Sequence, residues 1–306
     1  MSYAVRPLKR RELYPEAHVD GRPLADGAPA RWERRAGRLL TSTGERAEAE
    51  LERAIRSQPG AGRPNTLAVI SPKGGVGKTT VSFLVGSLLA THLQTWTIAV
   101  DTNPDFGTLA DLAPDNLRPT RSLADLLDDM DSIRTAAQLR PYVARLPTGL
   151  HVIGAPRDAE ITACLSTERY GELLAFLSTF YELVVLDCGT GVSRPLARFA
   201  VERADQVAVV TTAEWITANV VLSALPHIRH DRTTLVLNRA HPALGENVQA
   251  LEDRFRRERL HRLIAVPDDR QLATMLDTGT YALEALDRPT RVAIKRLGLA
   301  AAEQLV

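Results

Sequence analysis

Residues 71–80 read Ser71-Pro72-Lys73-Gly74-Gly75-Val76-Gly77-Lys78-Thr79-Thr80. A short apolar run at residues 67–70 precedes this segment, and an apolar-periodic segment at residues 81–93 follows it. This order of strand, glycine-rich loop and helix suits a phosphate-binding loop, because glycines let backbone N–H groups turn inward and a helix N-terminus attracts anions. Within such a loop, Lys78 would reach the terminal phosphates and the hydroxyl of Thr79 would hold Mg²⁺.

Lysine usage favours phosphate binding over the alternative, which is an ordinary strand-to-helix turn. Seven fixed positions after a strand already argue against a simple turn. In the whole chain, lysine occurs only at Lys9, Lys73, Lys78 and Lys295, whereas arginine is common. A compact ammonium fits between phosphate oxygens where a planar guanidinium does not. The two lysines of this short loop therefore indicate phosphate recognition.

The loop departs from the plain Gly-x-x-x-x-Gly-Lys-Thr pattern, because Pro72 occupies the place of the first glycine. Lys73 instead completes the narrower pattern Lys-Gly-Gly-x-Gly-Lys-Thr, which resembles the deviant Walker A motif of the ParA/MinD family of P-loop ATPases. The resemblance covers about residues 65–306. It implies ATP and Mg²⁺ as ligands, and an ATP-dependent homodimer in which Lys73 reaches the phosphates of the other protomer. It also implies slow, partner-stimulated hydrolysis of ATP to ADP and phosphate.

A second motif, Asp101-Thr102-Asn103-Pro104-Asp105, follows the predicted strand at residues 97–100. The loop at the carboxyl end of a strand in an open α/β sheet faces the ligand crevice. The position matches the family's switch I, whose first aspartate corresponds to Asp101, a candidate for catalysis and for metal binding. The family's second aspartate orients the attacking water. Asn103 stands in its place, and because an amide can hold a water but cannot accept a proton, fast hydrolysis is not expected. Asp105 is either a substitute carboxylate or a turn residue.

A third motif is the apolar strand at residues 183–186, which ends in Asp187 and is followed by Cys188-Gly189-Thr190-Gly191. Any strand can end in aspartate, but this one lies downstream of a lysine–glycine loop and resembles Walker B with switch II. The resemblance implies that Asp187 accepts a hydrogen bond from Thr79 or from a Mg²⁺-bound water. The predicted catalytic residues are then Lys73, Lys78, Asp101, Asn103 and Asp187.

Two later strands end in residues that resemble the family's base-binding positions. Asn238 follows the predicted strand at residues 234–237, and its carboxamide offers a donor and an acceptor side by side to an adenine edge. Val266-Pro267-Asp268-Asp269 resembles the family's Ile-Pro-x-Asp, whose main-chain groups flank the purine. The predicted nucleotide contacts are Gly74, Gly75, Val76, Gly77, Lys78, Thr79, Thr80, Asn238, Pro267 and Asp268.

The composition is that of a globular protein with a sizeable core, since 44% of the 306 residues are hydrophobic, 25% are charged and the net charge is +1. Cys164 and Cys188 give no disulfide framework and suit a reducing compartment. The sequence shows no signal peptide and no apolar run long enough to span a membrane. It also lacks the amphipathic tail of membrane-attached relatives. We therefore predict a cytoplasmic protein without stable membrane attachment.

Short apolar runs alternate with helical patterns from Asn65 onward, which predicts an α/β fold with a mostly parallel, twisted sheet covered by helices on both faces. We expect about seven or eight strands in a P-loop NTPase domain of SIMIBI type that spans residues 65–306. The predicted strands lie at residues 67–70, 97–100, 150–153, 183–186, 207–210, 234–237 and 263–266.

Residues 1–64 are predicted to be a separate N-terminal arm. Prolines at positions 7, 15, 23 and 29 break any long element, and basic residues outnumber acidic ones before residue 40. A short helix is predicted at about residues 43–57, followed by a linker rich in proline and glycine at residues 58–64. The arm is either a docking segment for a protein partner, a membrane surface or DNA, or a solvated extension across the ATPase domain.

The sequence is compatible with two functions from different classes. The first is an ATP-dependent dimerising switch that positions or partitions a cargo, either DNA or a large protein complex. The second, motivated by Asn103, is a slow or non-hydrolysing nucleotide-binding adaptor that docks on a secretion or other assembly machine through residues 1–64. Non-specific DNA contact would use the arginines at positions 254, 256, 257, 259 and 262. The acidic residues among them favour a solvated helix face instead.

Overall fold

The computed structural model describes residues 33–60, 62–103, 107–155, 166–192, 194–228, 232–241, 245–258, 260–279 and 281–305. Residues 1–32 of the predicted arm, Asp105 and Cys164 lie outside the described residues. The described residues include the glycine-rich loop, Asn103 and the ends of all seven predicted strands, so these predictions can be compared with the structure.

Within the described ranges, eight strands form one sheet in the order β3-β4-β2-β5-β1-β6-β7-β8. All neighbouring strands are parallel except β3 and β4. The predicted mostly parallel α/β sheet is confirmed. The additional strand, β3, has only two residues, which are too few to give an alternation pattern in the sequence. The strands are β1 (Asn65–Ser71), β2 (Thr97–Asp101), β3 (Ala144–Arg145), β4 (His151–Ile153), β5 (Leu183–Thr190), β6 (Gln206–Thr212), β7 (Thr233–Ala240) and β8 (Arg262–Pro267).

Ten α-helices, counted over the described residues, surround this sheet. None of them is long and apolar enough to cross a membrane. The helices are α1 (Glu33–Arg56), α2 (Lys78–His92), α3 (Leu123–Asp129), α4 (Ala136–Leu139), α5 (Thr167–Leu177), α6 (Pro195–Arg203), α7 (Trp215–Ala224), α8 (Gly245–Phe255), α9 (Arg270–Thr278) and α10 (Arg288–Ala302).

The central strand β1 is buried on both faces. Leu67 and Val69 belong to an apolar cluster that also contains residues of α2, α9 and α10. Ala68 and Ile70 point to the opposite face and join a cluster with residues of α5, α6 and α7. Successive side chains of a strand alternate between faces, so a strand with helices on both sides must be apolar at every position. This explains why the strands read as continuous apolar runs.

Helix α1 begins at Glu33, ten residues before the predicted start of the short helix in the arm. The predicted start at about residue 43 is therefore wrong, and Gly44 lies inside the helix. A Cβ at Gly44 would lie 2.7 Å from Nη1 of Arg288, so glycine allows α1 to approach α10 closely. This contact between distant parts of the chain could not be read from local spacing.

The end of α1 is joined to α10 by a network of ion pairs. Glu48 accepts hydrogen bonds from Arg291 at 2.8 Å and from Lys295 at 2.6 Å, and Glu52 accepts one from Lys295 at 2.5 Å. The two cations hold the pKa of Glu48 at about 2, well below its usual value. Ile55 of α1 is fully buried in the apolar cluster that also contains residues of α2 and α10. Helix α1 is therefore packed on the helices that cover the sheet.

Candidate nucleotide-binding site

The carboxyl ends of neighbouring strands bring the three predicted motifs together. Strand β1 lies between β5 and β6, and β5 also pairs with β2. Asp101 and Asp187 are partners in the β2–β5 register. The backbone N–H of Thr102 donates to the carbonyl of Asp187 at 3.0 Å, and the N–H of Gly191 donates to the carbonyl of Ser71 at 3.1 Å. The glycine-rich loop and the predicted switch segments are therefore neighbours at one edge of the sheet.

The loop between β1 and α2 has a backbone geometry that favours glycine. Gly75 has a φ of 74° and Gly77 a φ of 96°. Gly77 is also the N-cap residue of α2, no side chain caps this helix, and its first turn contains no acidic residue. The N–H groups of a first turn have no intrahelical partner, and the helix dipole is positive at this end. The loop therefore favours an anion such as a phosphate.

Asp187 is buried near the end of β5 and contacts the start of α2. Its carboxylate accepts hydrogen bonds from the side chain of Thr79 and from Oγ of Ser82, the latter at 3.2 Å. Burial raises the pKa of Asp187 to about 7, and the charge of Asp101 acts in the same direction. The hydrogen bonds and the Lys78 ammonium oppose this rise. Burial in turn lowers the pKa of Lys78.

The donor set around Thr79 fits the predicted magnesium ion. Mg²⁺ prefers oxygen ligands and is usually held by one or two protein groups together with substrate phosphates and waters. Thr79 supplies a hydroxyl, and Asp187 supplies a carboxylate that is hydrogen-bonded to this hydroxyl. A buried carboxylate also gains from a nearby cation. These residues can therefore hold Mg²⁺, with Thr79 as a direct ligand and Asp187 acting through a water.

Asp101 organises the loop that follows β2. Its side chain is fully buried. Oδ1 accepts the backbone N–H of Asn103 at 3.0 Å, and Oδ2 accepts the N–H of Leu109 at 3.0 Å. A Cβ at Gly107 would overlap this carboxylate, so the backbone approaches it closely. Burial raises the pKa of Asp101 to about 6 although the two hydrogen bonds lower it.

Each carboxylate oxygen of Asp101 thus accepts a hydrogen bond from a backbone N–H, and the sequence did not predict these two bonds. Its predicted roles in catalysis and metal binding stay predictions. Asn103 is half-buried at the carboxyl end of β2. It therefore lies at the same edge of the sheet as the glycine-rich loop, where an amide can position a water.

Asn238 lies against the glycine-rich loop. The side chain is buried, and its Nδ2 donates to the carbonyl of Val76 at 2.8 Å. A Cβ at Gly77 would overlap this amide. Strand β7 shifts register between Leu237 and Ala240 at this point. The predicted contact of Asn238 with the base stays a prediction, and the structure adds a contact that ties the end of β7 to the loop.

Pro267 and Asp268 lie at the carboxyl end of β8, beside the end of β7. The N–H of Asp268 donates to the carbonyl of Ala240 at 3.3 Å. The next residue, Asp269, caps α9 by accepting the N–H of Gln271 at 2.8 Å. This N-cap was not predicted, although an aspartate directly before a helical pattern is the usual signal of a helix N-cap.

Lys73 contacts helix α7 of its own chain. Its Nζ donates to Oγ1 of Thr217 at 3.0 Å and lies 3.9 Å from Oε2 of Glu214. Oγ1 of Thr217 donates in turn to Oε2 of Glu214 at 3.0 Å. The Lys73 side chain is 43% exposed. Neither Glu214 nor Thr217 was predicted, although both follow the apolar strand β6 at the edge of the sheet where the loop lies.

Three of the five arginines late in the chain have acidic partners, and Arg259 lies outside the described residues. Arg254 pairs with Glu258 at 2.6 Å, and Arg256 pairs with Glu252 at 2.9 Å. Arg262 pairs with Glu303 at 3.0 Å. These pairs support the interpretation of a solvated helix face over a DNA-binding patch.

Comparison with known proteins agrees with this geometry. A family model described as AAA domain (AAA_31) matches residues 64–236. The ESX-1 secretion-associated protein EspI of Mycobacterium tuberculosis is 29% identical over 261 residues, which are 81% of this chain and 38% of EspI. The chain therefore spans well under half the length of this curated relative.

Two solved structures illustrate the match in fold. The ParA family ATPase from Chlorobium tepidum TLS is 20% identical with a TM-score of 0.63, and the match covers 76% of this chain and 98% of that chain. The septum site-determining protein MinD complexed with Mg-ADP, from Pyrococcus horikoshii OT3, is 19% identical with a TM-score of 0.59, and the match covers 78% and 94%. At these identities the matches establish the fold, and the predicted ParA/MinD-type P-loop fold is confirmed.

We expect Gly77→Ala to destabilise the nucleotide-free protein more than Gly75→Ala. Both positions have positive φ, which costs a residue with a Cβ about 1–2 kcal/mol. A Cβ at position 77 would also displace Asn238, whereas one at position 75 meets nothing within 4 Å. Denaturant titration measures the loss in free energy of unfolding for each variant. Adding Asn238→Ala to Gly77→Ala should recover part of the stability that Gly77→Ala loses. Equal losses for the two glycines would contradict the contact between Asn238 and the loop.

We expect Asp187→Asn to stabilise the nucleotide-free protein at pH 8 while it weakens Mg²⁺-dependent ATP binding. The folded protein favours the neutral carboxyl, so ionisation between the unfolded pKa of 3.8 and the folded pKa of about 7 removes stability. An asparagine stays neutral, and the gain should be at least about 1.4 kcal/mol, the equivalent of one pKa unit.

Denaturant titrations at pH 5 and pH 8 test this sign. The stabilisation should shrink at pH 5, because less of the ionisation cost is present there. A variant that is less stable than the natural protein at pH 8 would show that the ionised carboxylate stabilises the fold.

Proposed function

The chain belongs to the AAA domain family and has the fold of the ParA and MinD ATPases, and we propose that it is an ATP-dependent dimerising switch ATPase. In this proposal a cytoplasmic homodimer positions or partitions a cargo, either DNA or a large protein complex. Residues 65–306 are the ATPase domain, and residues 1–64 are the arm that docks a stimulating or cargo protein. Stable membrane attachment is not expected.

The observation that carries this proposal is the position of Lys73. Its ammonium is bound to Thr217 at the edge of the nucleotide site and is partly exposed. Burial lowers the pKa of Lys78, by contrast, and the nearby charge of the buried Asp187 acts against this shift. The loop therefore carries one lysine for its own nucleotide and a second at the surface, where another protomer can approach.

In this proposal, different residues of the site bind different parts of ATP and its Mg²⁺. The N–H groups between Gly74 and Gly77 surround the phosphates, and Lys78 neutralises their charge. Thr79 and Asp187 hold Mg²⁺, which supplies charge stabilisation to the phosphates when it is bound. Asn103 would position the water that attacks the terminal phosphate, and because an amide cannot accept a proton, the proton of this water would pass to an oxygen of the transferred phosphate as the bond to ADP breaks.

Lys73 links nucleotide binding to dimerisation. When it leaves Thr217 and reaches the phosphates of the other protomer, it neutralises charge that develops during phosphoryl transfer. ATP then favours the dimer, because the nucleotide contacts both chains only in that state. The dimer is the form that holds the cargo in this proposal.

A second candidate function is an adaptor that binds ATP with little or no turnover and docks on a secretion or other assembly machine. Asn103 favours it, because the position lacks the carboxylate expected of a fast ATPase of this fold. The similarity to EspI, an ESX-1 secretion-associated protein, supports a secretion machine as the partner. The adaptor would use the same ATP site and would dock through residues 1–64.

Substitution of the two loop lysines separates ATP binding from dimerisation. We expect Lys73→Ala to bind ATP with nearly unchanged affinity but to lose the ATP-dependent dimer, and to lower turnover roughly 10²–10³-fold. Lys78→Ala, the matched control, should lose ATP binding itself. A fluorescent ATP analogue and sedimentation velocity measure the two properties. Dimers and turnover of Lys73→Ala at the level of the natural chain would remove the role proposed for Lys73.

Substitution of Asn103 separates the two candidate functions. Because a carboxylate can accept the proton of the attacking water, Asn103→Asp should raise ATP turnover, by up to roughly 10²–10⁴-fold. Steady-state phosphate release is measured for the natural chain, Asn103→Asp and Asn103→Ala, with and without DNA or cell lysate. Robust turnover of the natural chain that persists in Asn103→Ala would exclude the adaptor. Background turnover under all conditions, rescued by Asn103→Asp, would favour it.

A further inference from the structure

Ser82 is a buried serine in the second turn of α2. Its side chain is fully buried, and its Oγ donates a hydrogen bond to Oδ1 of Asp187 at 3.2 Å. The side chain of Thr79, three residues earlier, also donates to this carboxylate. Residues three apart lie on the same face of a helix. Helix α2 therefore presents two hydroxyls to one carboxylate, and the glycine-rich motif accounts only for that of Thr79.

The acceptor of the Ser82 hydroxyl lies outside its own helix. Hydroxyls inside a helix often bond to the carbonyl four residues earlier, as those of Thr91, Ser223 and Thr274 do here. The hydroxyl of Ser82 instead bonds to strand β5, at a residue 105 positions later in the chain. This bond therefore depends on the placement of Asp187 beside α2 and does not follow from the helix itself.

The bond of Ser82 restricts rotation of the Asp187 carboxylate. The terminal torsion of an aspartate is broad, so a carboxylate can turn about its Cβ–Cγ bond unless its partners hold it. Ser82 holds Oδ1 from the protein interior, and the proposed nucleotide site does not include Ser82 as a ligand. Its bond can therefore fix the orientation of the carboxylate before nucleotide or metal binds.

This orientation is sensitive because a second carboxylate lies beside Asp187. Asp101 is its partner in the β2–β5 register, and like charges repel more strongly in a buried place than in water. Two backbone N–H groups hold the oxygens of Asp101. The Asp187 carboxylate depends on hydroxyl donors, so the loss of Ser82 would leave Oδ1 without this donor and free to turn.

We propose that Ser82 is a positioning residue for the magnesium ion of the nucleotide site. It holds Oδ1 of Asp187, and the fixed carboxylate in turn orients the Thr79 hydroxyl and the water through which Asp187 acts on Mg²⁺. The inference rests on the proposed function, because it concerns the Mg²⁺ that accompanies the bound nucleotide. Removing a hydrogen-bond partner behind the direct ligands of a metal typically lowers metal affinity about 10–100-fold.

One substitution and one matched control test the proposal. Ser82→Ala removes the hydroxyl that holds Asp187. Ser87→Ala is the control, because Ser87 is an equally buried serine of the same helix whose hydroxyl bonds to Oγ1 of Thr148 at 2.9 Å. The affinity for a fluorescent ADP analogue is measured in Mg²⁺ and in EDTA, since ADP binding involves no turnover. The ratio of the two affinities compares variants in how tightly the protein–nucleotide complex holds Mg²⁺.

We expect Ser82→Ala to lower this ratio about tenfold or more, while its affinity in EDTA changes less than about twofold and Ser87→Ala matches the natural chain in both. A ratio in Ser82→Ala equal to that of the natural chain would overturn the inference and leave the proposed function standing. A natural chain that binds the analogue equally well in Mg²⁺ and EDTA would overturn the inference alone. A natural chain that binds neither ADP nor ATP would overturn both.

A double variant tests whether Ser82 acts through Asp187. Asp187→Asn is expected to lower the ratio itself, so adding Ser82→Ala to it should lower the ratio no further. A second loss of about tenfold in the double variant would show that Ser82 acts by another route, and the positioning role would be wrong.

Ser82→Cys provides the measurement if Ser82→Ala does not fold. A thiol has nearly the volume of the hydroxyl but is a weaker donor, so the ratio should fall at least about threefold. An unchanged ratio in a folded Ser82→Cys protein would overturn the inference.

Discussion

The buried carboxylate of Asp187 is the constraint on which the arrangement of the site depends. The side chain is 2% exposed, and an ionised group in such a place needs partners. Thr79 and Ser82, in the first turns of α2, donate hydrogen bonds to this carboxylate. The backbone carbonyl of Asp187 accepts hydrogen bonds from the N–H and from the Oγ1 hydroxyl of Thr102. One residue therefore fixes the distance between the glycine-rich loop, β5 and the segment after β2. The raised pKa indicates that these partners do not fully offset the burial, and a bound cation would complete the compensation.

The sequence could predict the sheet and the glycine-rich loop because both depend on local patterns. Continuous apolar runs follow from burial on both faces of β1, and the positive φ of Gly75 and Gly77 follows from the turn into α2. Contacts between distant segments leave no such pattern. The packing of α1 on α10 and the hydrogen bond between Lys73 and Thr217 join residues far apart in the sequence, so local spacing carries no signal for them. The two hydrogen bonds of Asp101 lie within eight residues of it, but they depend on how the backbone of this loop folds back on the carboxylate. The place of Asn238 at the end of a predicted strand marked it as a candidate site residue, but its hydrogen bond to the carbonyl of Val76 was not predicted.

Asp101 and Asn103 together limit the chemistry that the segment after β2 can perform. Both carboxylate oxygens of Asp101 accept backbone N–H groups, one of them from Asn103 itself. This carboxylate is therefore committed to the loop conformation, and Asn103 contributes an amide that cannot accept a proton. In the proposed function, such a site would suit a long-lived ATP-bound state, because the loop would bind the phosphates while Asn103 would activate water only weakly. Both candidate functions need such a state, and they differ in whether a partner ends it by hydrolysis.

In the proposed function, the contact between Lys73 and α7 sets the cost of forming the dimer. A partly exposed ion pair such as that of Lys73 and Glu214 contributes about 0–1 kcal/mol, and the hydrogen bond from the Lys73 ammonium to Thr217 has an uncharged acceptor. A phosphate offers the same ammonium ionised acceptor oxygens, so a phosphate group on a second protomer can displace both contacts. The contacts of Lys73 with Thr217 and Glu214 are weak enough to be exchanged for a phosphate of ATP. Without nucleotide they give the ammonium a partner within its own chain.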